Sequence, residues 1–396
     1  MRLGRTGLLV ALFLGALALR PQIVGVGPLL PEIQDDLSIS HAVAGLLGTI
    51  PVLCMGLFAP PAPYLAARLG TRRAIGLCLA LIGVFGLARA LAPPAVAVIL
   101  LTFGVGVGIG FAGALMPVAV KERFADRPVF ATGVYTIGIN VGSAISAAAA
   151  VPLAAAAWGW RASFVVFSAV TLALVAVWLV QTARDAPHRR PDVRPPRLPF
   201  RSGVAWMLVL LFGLLGTIFY GLNSWLPDSY VERGWSEHSA GALLAVFNLC
   251  ALPGSLVISW LADHVGSRRL WFATSAGLLL SGLLGVVLLP NTGFLWVAMM
   301  GFANGALFTL VMTLPLDVSD RPSEVGAVAG LVLGAGYCVS AIAPFALGAV
   351  RDATGNFTDA LWVVVAAGAA LVFASLFLTR ERLHRGVRGA PAAAGR

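Results

Sequence analysis

Twelve stretches of this chain are apolar for long enough to cross a bilayer, and that pattern leaves an all-α membrane bundle as the fold. They cover approximately residues 7–31, 42–66, 74–92, 95–120, 130–156, 161–182, 204–226, 238–262, 270–289, 293–316, 324–350 and 359–379. A membrane barrel would need polar and apolar residues to alternate, and runs such as Ala147-Ala148-Ala149-Ala150-Val151 do not. Composition points the same way. Of 396 residues, 59% are hydrophobic and 11% charged, too little polar surface to coat a soluble globule of this size.

The net charge of +10 comes from short basic clusters between apolar stretches, with no basic-aromatic stripe on one face. It is a topology signal, and no nucleic-acid partner is expected. If the N-terminus is cytoplasmic, the clusters within 67–73, 121–127, 183–203, 263–269 and the C-terminal tail all fall inside. Of the 27 Lys and Arg, only Arg89, Arg161, Arg233 and Arg351 are then left on the outer side, and Arg20 in the membrane. The asymmetry predicts both termini in the cytoplasm.

Three motifs imitate other functions. Met1 to Ala18 resembles a secretory signal, but its removal would flip the helix parity that the basic clusters support. Gly108-Ile109-Gly110-Phe111-Ala112-Gly113 matches a dinucleotide fingerprint, yet it lies inside an apolar helix with no strand before it, which predicts close helix packing instead. Cys54, Cys78, Cys250 and Cys338 each stand alone in a membrane helix, so neither a zinc site nor a disulfide framework is expected.

The chain repeats itself. At an offset of 196 residues Pro31 falls on Pro227, Gly25 on Gly221, Ser40 on Ser236, Gly45 on Gly241 and Cys54 on Cys250. Leu65-Ala66-Ala67-Arg68-Leu69-Gly70-Thr71-Arg72-Arg73 pairs with Leu261-Ala262-Asp263-His264-Val265-Gly266-Ser267-Arg268-Arg269 in the same register, and Asp126-Arg127-Pro128 later meets Asp320-Arg321-Pro322. The predicted organisation is a six-helix half over 1–183, a Pro/Arg-rich cytoplasmic linker over 184–203, a second half over 204–380 and a basic tail over 381–396. Parallel six-helix repeats are the architecture of transporters that rock one half against the other around a central site.

The loop from Leu261 to Arg269 resembles the inner-loop signature of the major facilitator superfamily, in which an acidic side chain at a helix end and the arginines after it latch neighbouring helices. The resemblance implies a latch of Asp263, Arg268 and Arg269; the first-half copy has Ala67 where the acid would stand. A narrower resemblance spans nearly the whole chain, to the cyanate/2-nitroimidazole transporter family. It is carried by Leu19-Arg20-Pro21 with Val26-Gly27-Pro28-Leu29-Leu30-Pro31, by Met116-Pro117 with Lys121-Glu122-Arg123-Phe124, and by Ser224-Trp225-Leu226-Pro227 with Tyr230. It implies a transporter of the cell inner membrane, working as a monomer on a small molecule, with no cofactor.

Arg20 is the residue expected to read the substrate. It sits near the middle of the first stretch, and a guanidinium, which cannot shed its proton, costs roughly 2.5–3.5 kcal/mol at a bilayer centre. The repeat places Gly216 opposite it, so the charge is no part of the shared scaffold. Pro21 removes an intrahelical hydrogen bond and predicts a locally broken helix, the kind on which transporters build sites. Gln22, Tyr135, Asn140, Tyr220, Asn223 and Tyr337 are the polar residues expected to complete the site, with Asn248 and Asn304 in reserve; aromatics such as Phe111 are expected to pack or gate.

What is missing bears on mechanism. No Asp or Glu lies deep in any stretch: Glu32 and Asp228 are at outer ends, and Glu122, Asp263, Asp317 and Glu324 at inner ends. All five histidines are in loops or at helix ends. This composition is ill suited to cations, which transporters meet with acids at the midplane. Nitrate carriers of the superfamily use an arginine from each half, and the second and eighth stretches have none. The leading expectation is transport of a small anion, cyanate-like or a small carboxylate, with Arg20 as counter-charge. The alternative is efflux of small aromatic drugs such as 2-nitroimidazoles, although the fifth stretch has Gly133, Gly138 and Gly142 without a Gly-Pro exporter signature. An enzyme is not expected, since no metal-ligand pair or nucleophile with a base is present.

Overall fold

The computed structural model describes residues 2–124, 128–182, 198–264, 268–318 and 322–378. Most of the expected linker, up to residue 197, and the whole basic tail lie outside them. Among the described residues twelve helices are long and apolar enough to cross a membrane. They are α1 (Thr6–Leu37), α2 (His41–Phe58), α3 (Thr71–Leu91), α4 (Ala95–Arg123), α5 (Phe130–Ala156), α6 (Trp160–Gln181), α7 (Gly203–Val231), α8 (Glu237–Leu261), α9 (Arg269–Leu288), α10 (Pro290–Pro315), α11 (Ala327–Thr354) and α12 (Phe357–Ser375). Several run past the apolar stretch that announces them; α1 continues to Leu37 because Pro31 falls in the first turn of a new segment, where its missing N–H costs nothing.

Each packing in the first six helices has its counterpart six helices later. α2 packs on α4 as α8 does on α10, α3 on α6 as α9 on α12, and α1 on α5 as α7 on α11. Small residues permit the approach. Gly104 and Gly108, one turn apart on α4, face Phe85 and Ile82 of α3, while Gly106 and Gly110 on the other side press against Cys54 of α2. The second half repeats this with Gly301 and Gly305 of α10 against Phe247, Cys250 and Ala251 of α8. The glycine run that imitates a nucleotide fingerprint is therefore a two-sided packing surface.

The two sets meet through α5 against α8 and through α2 against α11. Their contacts gather toward the face of the bundle opposite the N-terminus. There the backbone of α11 at Pro344 abuts Gly45 of α2, and Gly348 of α11 fits against the carbonyl of His41 and the Trp225 ring. Trp225 Nε1 donates to the Pro344 carbonyl at 2.7 Å, and His41, Trp225 and Phe357 stack with centroids 5.5–5.7 Å apart. Asp352 of α11 closes the interface by capping α2. Its carboxylate accepts from the backbone N–H of His41 (3.1 Å) and Ala42 (2.8 Å) and lies 2.8 Å from His41 Nδ1. An anion at a helix N-terminus satisfies donors that the helix cannot.

Removing this cap should open that face. Asp352→Ala should cost about 1 kcal/mol of closure, roughly a fivefold shift toward separation of the halves. Spin-label distances between exposed positions 35 and 358 should lengthen in the variant; an unchanged distribution would mean that the cap does not hold the interface.

Candidate substrate site

The first helix is broken where its sequence says it must be. Regular helix ends at Leu17, and the chain passes through a tight turn in which the Leu19 N–H reaches the Ala16 carbonyl (3.2 Å) and the Arg20 N–H the Leu17 carbonyl (3.4 Å). Pro21 has no N–H, and it opens a one-turn helix, Pro21–Val24, for which Arg20 is the N-cap. A second interruption follows at Gly27–Leu29, a 3₁₀ turn. Gly27 touches the backbone of Asn223 in α7 there, an approach that any side chain would block.

Arg20 sits at this joint, partly exposed. Its side chain makes one hydrogen bond, a long one, from Nη1 to Tyr220 Oη at 3.4 Å. Tyr220 in turn donates to Met55 Sδ at 3.7 Å. The ion pairs among the described residues, His41–Asp352, Arg161–Asp36 and Arg351–Glu232, are all at the opposite face. A guanidinium carries five N–H donors, so most of Arg20's capacity is left for something else.

Phenols lie near it. Tyr220 of α7 accepts the Arg20 bond, and Tyr337 of α11 and Tyr135 of α5 pack against the same apolar cluster that holds Tyr220. The Tyr220 and Tyr337 rings meet at 6.3 Å between centroids, with Phe212 edge-on to Tyr337 (4.9 Å) and Phe219 edge-on to Tyr220 (5.0 Å). Leu19, Ile23 and Met55 belong to the same buried apolar cluster as Tyr220, and the half-buried Phe111 packs against it.

Other expected site residues have local partners. Gln22 is fully buried and turned away: its Nε2 donates to Ser168 Oγ (2.9 Å) and its Oε1 accepts from Arg89 (2.7 Å). Asn223 donates to the Phe219 carbonyl (2.8 Å) and accepts from Asn248 (3.0 Å), tying α7 to α8. Asn140 donates to the Thr136 carbonyl one turn back (3.0 Å). Asn304 keeps a buried, unpartnered Oδ1. Gly216, the repeat partner of Arg20, is filled by the Ser340 hydroxyl, which explains why the second half cannot carry a matching side chain.

At the N-terminal face the side chains of Asp263 and Arg268 lie outside the described residues, and Arg269 is exposed. The first-half loop has no acid at Ala67. Arg72 caps the end of α6 through the Leu179 carbonyl (2.7 Å) and Thr182 Oγ1 (2.9 Å), and Thr71 donates to Glu122 of α4 (3.0 Å). Arg89, which the charge count leaves on the outer side within the stretch 74–92, is fully buried in the last turn of α3.

These features, a twelve-helix repeat around a charged joint in the first helix, define a secondary transporter. The Major Facilitator Superfamily model matches residues 12–233 and 229–395, and the chain belongs to that superfamily. Within it the chain is 31% identical over 352 residues to the cyanate transport protein CynX of Escherichia coli, covering 88% of this chain and 91% of that one. It is 29% identical over 360 residues to the 2-nitroimidazole transporter of the same organism, covering 89% and 90%. Among solved structures, a bacterial homologue of the human lysosomal transporter Spinster, inward-facing and occupied, superposes with a TM-score of 0.79 at 19% identity, covering 98% and 99% of the two chains.

The filled space at Gly216 makes a direct prediction. Gly216→Leu should drive a side chain into Ser340 and lower stability by roughly 1–3 kcal/mol, the usual cost of overpacking. Thermal unfolding in detergent should show the drop; a variant as stable as the parent would mean that the site has room for a second long side chain.

Proposed function

We propose that the protein carries a small monovalent anion, cyanate or a small carboxylate, across the cell inner membrane by alternating access. Arg20 is the counter-charge, and Tyr220, Tyr337 and Tyr135 supply hydroxyl donors around it. One observation carries the reading: a permanent cation at a broken membrane helix with a single 3.4 Å hydrogen bond. Such a charge is costly unless something anionic visits it. A small anion fits between a planar fork and phenolic O–H groups, which bind an oxyanion without introducing a competing charge. Both termini face the cytoplasm, the monomer is the working unit, and Asp263 with Arg268 and Arg269 latches the second half at that face. Asn140 and Asn223 are second-rank contacts, and Gln22 acts on the scaffold.

A second reading, efflux of small aromatic compounds such as 2-nitroimidazoles, is favoured by the wall of Phe212, Phe219, Tyr220 and Tyr337. Counterflow in proteoliposomes with cyanate, small carboxylates and 2-nitroimidazole separates the two.

Under the anion reading Arg20→Ala should weaken binding by about 1.5–3 kcal/mol, or roughly 10- to 150-fold, the worth of a charge-assisted hydrogen bond. Arg20→Lys should also bind markedly less well, because an ammonium cannot reproduce two parallel hydrogen bonds. The alanine variant should still insert, since losing a midplane charge lowers the cost of insertion. Cyanate counterflow by Arg20→Ala with the parent's KM would return Arg20 to the scaffold.

A further inference from the structure

Arg89 is a fully buried cation of the first half, and nothing in the anion reading uses it. Its guanidinium is wholly enclosed between α1, α3, α4 and α6. Nη2 donates twice to Gln22, to the backbone carbonyl at 2.9 Å and to Oε1 at 2.7 Å. Nη1 donates to Thr102 Oγ1 at 3.2 Å, and the group lies 4.3 Å above the Phe164 ring. Nε has no partner.

The carbonyl that Arg89 holds is one that helix geometry has orphaned. In a continuous helix Gln22 O would accept from the Val26 N–H, but that N–H turns to the Ile23 carbonyl at 3.3 Å as the chain tightens toward Gly27. A membrane interior offers no water to take its place, so another donor must. Arg89 is that donor. The segment so gripped, Pro21–Val24, is a single turn between two breaks, far too short to hold its own conformation. Its orientation therefore comes from what grips it, and Arg20 is its N-cap. The grip is built from polar groups throughout, Gln22 being anchored a second time through Ser168, whose hydroxyl donates to the Phe164 carbonyl at 2.6 Å. If packing alone were needed, apolar residues of the same volume would serve as well or better than a buried charge.

We infer that Arg89 is a positioning residue of the substrate site, fixing the one-turn helix after the break so that Arg20 projects toward Tyr220. This rests on the reading of Arg20 as the anion's counter-charge, and two readouts keep the inferences separable. The first needs no ligand: hydrogen exchange of the purified full-length protein, followed over residues 18–29. Arg89→Met should raise exchange there by about tenfold or more, the loss of a charge-assisted bond, while peptides of α4 and α6 stay within about twofold. Arg89→Lys should restore part of the protection, since an ammonium can still reach one Gln22 oxygen, and it serves as the test if the Met variant does not fold. Unchanged exchange over 18–29 in a folded variant, or equal loosening of every first-half helix, overturns the inference.

The second readout is cyanate counterflow. Arg89→Met should raise KM about tenfold with the maximal rate little changed, since it misplaces the recognising group without removing it. A parent-like KM in Arg89→Met beside a raised KM in Arg20→Ala sinks the positioning role alone. A parent-like KM in Arg20→Ala sinks the anion reading, and the exchange data then decide whether Arg89 holds the joint.

Discussion

A membrane interior tolerates neither a free carbonyl nor a lone charge, and the first helix of this protein presents both at one place. Pro21 breaks the helical ladder beside Arg20, and the tight turn at Gly27 breaks it again six residues on. At the first break the Leu17 carbonyl, which Pro21 has no N–H to meet, takes the Arg20 N–H instead. At the second, Arg89 takes the Gln22 carbonyl from outside the helix, and the close contact of Gly27 with Asn223 sets the chain against α7. The result is a short jointed segment, held from the side, that places a guanidinium against Tyr220 of α7.

The halves around this joint are built alike yet differ where the chemistry falls. Gly106 and Gly110 on α4 recur as Gly301 and Gly305 on α10, each set against a cysteine-bearing partner helix, which is scaffold. Arg20 recurs as Gly216, wedged against Ser340, which is not. The first half thus carries the charge and the second the Phe212, Phe219, Tyr220 and Tyr337 rings. At the face opposite the N-terminus Asp352 of one half caps the first turn of α2 in the other.

How much of this the sequence announces depends on the range of the interaction. The twelve helices, the break at Pro21 and the glycine faces of α4 are local consequences of apolar length, a missing N–H and small-residue spacing, and all were legible. Partnerships between distant residues were not. Tyr220 meets Arg20 across 200 positions and Asp352 meets His41 across 311, and no periodicity reports such pairs. The burial of Arg89 was not legible either, because it comes from α4 and α6 closing over the last turn of α3. Gln22 reads from the sequence as a site residue, but Arg89 on α3 and Ser168 on α6 engage both ends of its side chain.

The central claim is that an anion sits against Arg20. Selenocyanate, a linear monovalent anion with an anomalous scatterer, tests it by crystallography of the full-length protein. An anomalous peak within hydrogen-bond reach of the Arg20 guanidinium, on the side of Tyr220 and Tyr337, is the predicted result. A saturating soak that places the anion elsewhere in the bundle and leaves Arg20 bonded to Tyr220 alone would contradict it.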